Sequence, residues 1–271
     1  MSNPEDMEKV RPKKQLGQHF LTDERTAARI AATLDVDGAP QAVVEVGPGM
    51  GMLTKYLIEQ RHRCLTVVEV DTESVEYLRA AYPDLRIIEG DFLRLPLDTL
   101  ADSTGHLAVI GNYPYNISSQ IFFHILDYKD TVTLCSGMLQ REVAERIAAP
   151  EGSRTRGILS VLLQAWYDIE YLFTVPETVF NPPPKVKSGV IRLKRNGVVS
   201  LGCDERLFRT VVKTTFGQRR KTIRNSIRGL LPPGAVLPDS PLLAMRPEQL
   251  SVAMFTELTD IIAGVMPGRD N

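Results

Sequence analysis

Short runs of aliphatic and β-branched residues alternate with helical stretches over the first two thirds of the chain. The pattern predicts strands at 42–46, 64–70, 85–89, 107–110 and 131–139. Between them apolar residues recur about every 3.6 positions, which predicts helices at 52–60, 72–81 and 117–126. Alternating strands and helices indicate an α/β fold built on a parallel sheet.

The remaining third of the chain predicts a sheet edge and then a region of helices alone. Runs at 171–175 and 189–193 have no long helix between them, so we expect them to pair antiparallel at the sheet edge. Prolines at 182–184 separate them and exclude helix or inner strand there. Helical periodicity follows at 204–215, 219–231 and 247–265. We therefore expect two domains, 1–197 around the sheet and 198–271 as a small all-helical domain.

Composition places the chain among soluble globular proteins, with 43% hydrophobic and 24% charged residues in 271. We expect no membrane span and no signal sequence, and hence a cytoplasmic protein, because no apolar stretch is long enough and the first residues are polar. Cys64, Cys135 and Cys203 have no metal-ligand spacing. We interpret them as small buried side chains and expect no metal site.

The net charge of −1 conceals an uneven distribution. Residues 178–238 hold thirteen Lys and Arg against two Asp and Glu, and residues 9–29 hold six against two. Residues 30–177 hold eleven against twenty-one. Basic segments of this kind are typical of a surface that binds nucleic acid, because Lys and Arg neutralise phosphates. The alternative is a solvated charged face.

A glycine-rich loop, 47–51, follows the first predicted strand and leads into a helix. Glycines let the backbone approach a ligand, and the helix start supplies free amides. Met52 stands where the dinucleotide fingerprint has its third glycine, so the loop suits a nucleoside-like cofactor without a diphosphate. Glu69, Asp91 and Asn112 end the next three strands, and Glu69 is spaced to accept both hydroxyls of a ribose. A plain turn and helix caps are the alternatives.

Four motifs carry a resemblance to one family: 14–21 (KQLGQHFL), 111–119 (GNYPYNISS), 180–186 (FNPPPKV) and 216–225 (FGQRRKTIRN). The run from Asn112 to Tyr115 is similar to the Asn/Asp-Pro-Pro-Tyr motif of S-adenosylmethionine-dependent amino-methyltransferases. Together the motifs resemble the KsgA-type ribosomal RNA small-subunit adenine dimethyltransferases. This chain has Tyr113 where the family commonly carries Leu, and His19 where Asn is also frequent.

The resemblance implies both a fold and an activity. The fold is a Rossmann-like class I methyltransferase sheet with a small all-helical C-terminal domain. The activity is dimethylation of the exocyclic N6 of two adjacent adenosines in the 3'-terminal hairpin loop of small-subunit (16S) rRNA, with S-adenosyl-L-methionine as the cofactor. The partner is the immature small ribosomal subunit, and nothing in the sequence demands more than a monomer. The implied cofactor-binding residues are His19, Leu21, Gly47, Glu69, Asp91 and Asn112, with Gln18 beside them.

The expected catalytic residues are Asn112, Tyr115 and Phe180. The side-chain oxygen of Asn112 and the carbonyl of Tyr113 accept the two hydrogens of the adenine amine, so that its lone pair faces the methyl group. Tyr115 stacks on the base and Phe180 closes its opposite face, unless both are core aromatics. Glu45 is expected either near the methionine end of the cofactor or in a strand-end ion pair.

The helix predicted at 219–231 carries Arg220, Arg224 and Arg228 on one face at i, i+4 spacing. Like charges there destabilise a helix unless an anion meets them, which favours contact with RNA phosphates. The expected RNA-binding residues are Arg219, Arg220, Lys221, Arg224 and Arg228. The alternative docking sites are 9–14, or Lys185 with Lys187.

Three rival functions fit parts of the sequence. A ribosome-assembly factor without catalysis is disfavoured by the intact glycine loop and the motif at 112–115. A nicotinamide-dependent oxidoreductase is disfavoured by Met52 and by the absence of a hydride-transfer constellation. An erythromycin-resistance type methyltransferase of large-subunit rRNA is the nearest rival, and the triple-proline motif and the basic run at 219–221 favour the small-subunit branch.

Overall fold

The structure is a computed structural model that describes residues 10–13, 16–60 and 64–266. Its strands are β1 (Phe20–Leu21), β2 (Ala42–Val46), β3 (Cys64–Glu69), β4 (Arg86–Glu89), β5 (Leu107–Asn112), β6 (Val132–Gln140), β7 (Tyr167–Val175), β8 (Phe180–Asn181) and β9 (Ser188–Arg195). Its α-helices are α1 (Glu24–Ala31), α2 (Thr54–Glu59), α3 (Thr72–Ala81), α4 (Ser118–Asp127), α5 (Arg141–Ile147), α6 (Ile158–Gln164), α7 (Glu205–Gly217), α8 (Ile223–Ser226) and α9 (Val252–Val265). None of the helices so described has the length and apolar character that crossing a bilayer requires.

Contacts divide the chain into two compact units. The described residues of 1–145 and 168–195 form the first unit, and those of 146–167 and 196–271 form the second. The sequence analysis expected domains at 1–197 and 198–271, and so it did not place 146–167 in the helical unit. That segment packs with the C-terminal helices because α6 buries Val161, Leu162 and Leu163 and contacts α7.

The first unit contains a seven-stranded sheet in the order β4-β3-β2-β5-β6-β9-β7. Neighbouring strands from β4 to β6 are parallel, whereas β9 is antiparallel to β6. The runs predicted at 171–175 and 189–193 lie in β7 and β9, which are neighbours at the sheet edge. All five residues of β2 are buried, as a parallel strand covered on both faces requires. The predicted parallel α/β sheet is therefore confirmed.

Two of the three cysteines depart from the expectation of burial. Cys135 is buried in β6, but Cys64 is exposed and Cys203 is partly exposed. Cys64 is the first residue of β3, where the burial pattern of the strand runs from exposed to buried. Across the described residues no three His, Cys, Asp or Glu side chains come together as metal ligands.

A short two-stranded ribbon joins the N-terminal arm, which we define as the described residues of 10–22, to the segment before the prolines. In this ribbon β1 pairs antiparallel with β8, so that Phe20 lies opposite Asn181 and Leu21 opposite Phe180. The Thr22 amide donates to the carbonyl of Val179 at 2.8 Å. The hydrophobic pattern did not predict this ribbon, because two-residue strands carry no periodicity.

The second unit is helical, but the prediction of one long helix at 219–231 is wrong. The helix α7 begins at its Asp204 cap and continues to Gly217, and the α-helical part after it is only the four residues of α8. A turn closes at 218–221, and the Ile223 amide then donates to the carbonyl of Met245 at 2.8 Å. Ile223 and Ile227 are fully buried, so tertiary packing overrides the local helical pattern. The residues Arg228–Leu230 form a 3-10 turn.

Candidate active site

A cleft of about 160 Å³ lies where β2, β3, β4 and β5 end. Because these strands are parallel, their carboxyl ends meet at one edge of the sheet, which is where open α/β sheets bind ligands. The N-terminal arm lines the same cleft through residues 16–20. The predicted site residues that line it are Gln18, His19, Gly47, Glu69, Asp91, Asn112 and Tyr115.

A second cavity shares Phe20, Gly47 and Asn112 with the cleft. Its lining adds Leu21 and Glu45. The structure therefore brings every residue of the predicted cofactor set to one of two cavities that have walls in common.

The glycine loop adopts backbone conformations that other residues rarely take. The φ angles of Gly47, Gly49 and Gly51 are 66°, 56° and 80°. A Cβ atom on Gly49 would also lie 2.8 Å from the ring of Phe20 in the N-terminal arm. Glycine at position 49 therefore lets the arm approach the loop.

Glu69 ends β3 with a buried carboxylate, and the residue is 4% exposed. One oxygen accepts the Gly49 amide at 3.1 Å, and the other accepts those of Val70 and Asp71 at 2.9 and 3.0 Å. Burial raises the pKa of Glu69, although the three amides oppose this effect. The loop and the acid thus hold each other in place at the cleft.

Asp71 ties the N-terminal arm to the start of α3. Its buried carboxylate pairs with Lys13, accepts from Ser74 at 3.0 Å and lies 3.5 Å from the Gln18 amide nitrogen. Lys13 also pairs with Glu73 at 3.0 Å. Burial acts to raise the pKa of Asp71, but the hydrogen bonds from Lys13, Ser74 and Gln18 hold it below its usual value. Sequence reasoning missed this pair; the only signal was an acid two residues after Glu69.

Asp91 both lines the cleft and caps the short 3-10 turn that follows β4. Its Oδ1 accepts the Leu93 amide at 3.0 Å, and its Oδ2 lies 3.6 Å from Nε of Arg94. The side chain is 43% exposed, so a ligand in the cleft can reach it.

Asn112, at the end of β5, donates from Nδ2 to the carbonyl of His19 at 3.0 Å. A carbonyl oxygen can only accept, so this bond requires the amide nitrogen on the His19 side. This bond leaves Oδ1 as the acceptor of the amide, and Asn112 lines the cleft. The N-terminal arm therefore sets the orientation of the amide of Asn112, the first residue of the motif at 112–115.

The structure brings Tyr115 to the cleft but not Phe180. The Tyr115 hydroxyl shares a 2.6 Å hydrogen bond with Ser188 Oγ, and its ring centroid lies 5.5 Å from that of His19. Phe180 is 4% exposed and belongs to the hydrophobic core, and neither cavity lining includes it. Its position opposite Leu21 in the ribbon accounts for this burial.

Glu45 lies inside β2 and is 1% exposed. Thr54 donates to its Oε2 at 2.7 Å, and no ion pair to it exists within the described part of the chain. Burial raises the pKa of Glu45 to about 8, and the negative charge of Glu69 adds to this effect. Of the two alternatives raised by the sequence, the ion pair is excluded and the cavity wall is the observed position.

The basic residues of the second unit do not share one helix face. Arg220, Lys221, Arg224 and Arg228 are exposed. Lys221 and Arg228 line an open depression with Gln218 and Asn225, and its lining includes neither Arg220 nor Arg224.

Arg219 differs from the other four basic residues because it is half-buried. It donates to the carbonyl of Arg154 and lies 3.8 Å from a carboxylate oxygen of Glu248. These contacts hold parts of the second unit together.

Comparison with solved structures agrees with this fold. The chain superimposes on a dimethyladenosine transferase from Plasmodium falciparum with a TM-score of 0.71 and 20% identity, over 89% of this chain and 96% of that one. The 23S rRNA methyltransferase ErmE gives a TM-score of 0.63 and 26% identity, over 89% and 99%. The predicted Rossmann-like class I methyltransferase fold is confirmed.

Comparison of sequences gives the family. The model of the ribosomal RNA adenine dimethylase family matches residues 9–263. The Ribosomal RNA small subunit methyltransferase A of Parabacteroides distasonis is 62% identical over 257 residues, which cover 93% of this chain and 94% of the relative. That of Bacteroides thetaiotaomicron is 60% identical over 257 residues, or 94% and 95%. The cleft and the fold agree with these relatives, and the similarity extends over nearly the whole chain. The chain therefore belongs to the ribosomal RNA adenine dimethylase family.

Proposed function

We propose that the protein dimethylates the exocyclic N6 of two adjacent adenosines in the 3'-terminal hairpin loop of 16S rRNA, with S-adenosylmethionine as the methyl donor. The names of the similar bacterial proteins support the small subunit as the target. The observation that carries the proposal is the hydrogen bond from Asn112 Nδ2 to the His19 carbonyl, which leaves Oδ1 as the acceptor of a side chain that lines the cleft. We further propose that the protein acts in the cytoplasm, as a monomer, on the immature small subunit.

The cleft suits S-adenosylmethionine through its donor set and its shape. Glu69 is an acceptor for the ribose hydroxyls, and Asp91 is an acceptor for the adenine amino group. Gly47 leaves open space where a side chain would stand, since a Cβ there has its nearest neighbour at 4.0 Å. Leu21 and Glu45, which line the second cavity, would hold the methionine portion.

The protein contributes to methyl transfer by positioning the target amine. When bound, S-adenosylmethionine supplies an electrophilic methyl group on a sulfonium. Asn112 Oδ1 and the Tyr113 carbonyl accept the two amine hydrogens, which turns the nitrogen lone pair toward that methyl. The His19 carbonyl prevents the Asn112 amide from turning over. No separate general base is required, because the amine becomes acidic once it carries the new methyl group.

Tyr115 is the aromatic surface on which the target adenine stacks. Its hydroxyl is tied to Ser188, so the ring is held in position before the base arrives. Phe180 reaches the opposite face of the base only by leaving the core. With Phe180 in the core, one aromatic ring rather than two meets the base.

Exposed cations on the second unit are the proposed RNA contacts. Arg220, Lys221, Arg224 and Arg228 are accessible to phosphates, and Lys221 and Arg228 line the same depression. We assign Arg219 a structural part in that unit, because it is already engaged by Glu248 and by the backbone at Arg154.

The test is Asn112→Ala in a single-turnover assay on immature small subunits, with methylated adenines mapped in the rRNA. Methyl transfer should fall by at least about 100-fold, whereas affinities for S-adenosylhomocysteine and for the particle stay within about threefold of the wild type. Asn116→Ala, on the same cleft wall but outside the proposed contact, is the matched control. If Asn112→Ala kept most of the turnover, the proposed role of Asn112 in holding the adenine amine would be wrong. In a parallel assay of the wild type on large-subunit rRNA, methylation there and not on the small subunit would place the protein in the rival substrate class.

A further inference from the structure

Tyr113 occupies two environments at once. Its peptide lies in the motif at the cleft wall, between Asn112 and Pro114. Its side chain is buried beneath that wall, and the whole residue is 1% exposed. The side chain is therefore part of the interior, while the residue also contributes to the lining of the cleft.

A slot made by two glycines holds the ring. Gly111 in β5 and Gly137 in β6 lie opposite each other in the parallel register. A Cβ on Gly137 would lie 2.6 Å from the Tyr113 ring, and one on Gly111 would lie 3.0 Å from it. Phe122 closes the ring edge-on, with the centroids 5.7 Å apart. Any larger residue at either glycine would displace the ring.

The far end of the side chain is anchored by a hydrogen bond. The Tyr113 hydroxyl donates to the carbonyl of Ser136 at 2.8 Å and lies 3.3 Å from the sulfur of Cys135. At the near end, the Tyr113 amide donates to the carbonyl of Met138 at 2.9 Å. Both ends of the residue are thus fastened to β6, which limits rotation of the peptide that follows.

We propose that the buried side chain of Tyr113 is a positioning residue for methyl transfer, because it fixes the backbone carbonyl that accepts a hydrogen from the adenine amine. This inference rests on the proposed function. A leucine at this position would have no hydroxyl and could not make the bond to the Ser136 carbonyl. A displacement of about 1 Å at such an acceptor is enough to lower the rate about 100-fold. In this chain the aromatic anchor and the glycine slot do the positioning together.

The conservative test is Tyr113→Phe, which keeps the ring in its slot and removes only the hydroxyl. We expect the single-turnover rate to fall about tenfold, with an unchanged KM and Kd for the cofactor. The ratio of dimethylated to monomethylated adenine should also fall, because the second transfer begins with only one amine hydrogen to hold. Tyr113→Leu should show the same pattern more strongly.

The matched control is Thr33→Val, which removes the buried contacts of Thr33 Oγ1 with Ser136 Oγ and with the Ile30 carbonyl, both at 2.6 Å. It should lower the thermal midpoint about as much as Tyr113→Phe and leave the rate and the product ratio unchanged. If Tyr113→Phe behaves like Thr33→Val per folded molecule, Tyr113 is only a core residue and the inference is wrong. If the wild type transfers no methyl group to adenine, the proposed function itself fails, so the two failures are distinguishable.

Discussion

Replacing Glu45 by glutamine tests whether the acid beneath the glycine loop is neutral at physiological pH. The carboxyl is fully enclosed, accepts one hydrogen bond from Thr54 and lies near the charge of Glu69. Taking a carboxylate out of water without a counter-ion is costly, so the folded protein keeps the proton up to a pH of about 8.

The direction of the pH effect follows from the two states of the chain. Near pH 4 Glu45 is protonated whether the chain is folded or unfolded, and folding is indifferent to it. From its ordinary pKa of 4.5 up to about 8, the unfolded chain releases the proton and the folded chain retains it. The free energy of unfolding therefore decreases as the pH rises through this window, and the loss is complete above it.

The magnitude follows from about 1.4 kcal/mol for each tenfold change in proton affinity. At pH 7 the penalty from Glu45 is roughly 3 kcal/mol, against roughly 1 kcal/mol at pH 5. Glutamine keeps the acceptor for Thr54 and has no proton to lose. The Glu45→Gln variant should therefore be more stable than the wild type, by a margin that grows by about 2 kcal/mol between pH 5 and pH 7.

Urea unfolding at pH 5, 6 and 7 measures the difference in the free energy of unfolding between Glu45→Gln and the wild type. Glu59→Gln is the control. Glu59 is an exposed acid on α2, so Glu59→Gln makes the same change of side chain outside the protein interior. A second measurement follows the Glu45 carboxyl carbon by NMR and should show a midpoint near pH 8 in the cofactor-free protein. A margin for Glu45→Gln that is equal at pH 5 and pH 7 would show that the acid is already ionised in the folded state and would refute the reasoning.

Three further variants test the cofactor site, the RNA surface and the arm. Glu69→Ala should weaken S-adenosylhomocysteine binding by about 1–3 kcal/mol in calorimetry, because it removes charge-assisted hydrogen bonds. Tighter binding of NAD than of S-adenosylhomocysteine by the wild type would contradict the proposed cofactor site. Charge reversal at Lys221 and Arg228 should lower the affinity for the small subunit and leave cofactor binding unchanged. The slope of log affinity against log salt concentration should become shallower by about one for each phosphate that the protein no longer neutralises. An unaltered slope would mean that the RNA docks elsewhere. Lys13→Met should speed cofactor dissociation about two- to tenfold in stopped flow, because it cuts the link from the arm to Asp71; an unchanged rate would show that the ribbon alone holds the arm.

The sheet was predictable because its signals are local. The strand predicted at 42–46 and the helix predicted at 72–81 coincide with β2 and α3. Parallel strands buried on both faces appear in the sequence as continuous aliphatic runs, and helices as repeats of about 3.6 residues. Site residues at strand ends then follow, since parallel strands bring those ends to one edge.

The helix at 219–231 failed because the deciding contacts are distant in sequence. Its pattern is helical, but Ile223 is drawn to the backbone at Met245, and the chain turns before and after α8. The same limitation hid the ribbon between β1 and β8, and with it the burial of Phe180. Side-chain chemistry suggested an aromatic clamp at Phe180, whereas the pairing with Leu21 places the ring in the core.

The contact between His19 and Asn112 shows why a substitution at position 19 can leave the site intact. The group that orients Asn112 is the carbonyl of residue 19, which every amino acid possesses. The imidazole has a separate task, since Nδ1 bonds to the carbonyl of Pro182 at 2.8 Å and the ring lies beside Tyr115. A change from Asn to His at this position therefore alters how the arm is fastened to the proline segment, while the acceptor that holds the motif amide stays the same. The side chain of residue 19 is thus a poor guide to the orientation of Asn112, because the backbone carbonyl at position 19 holds that amide.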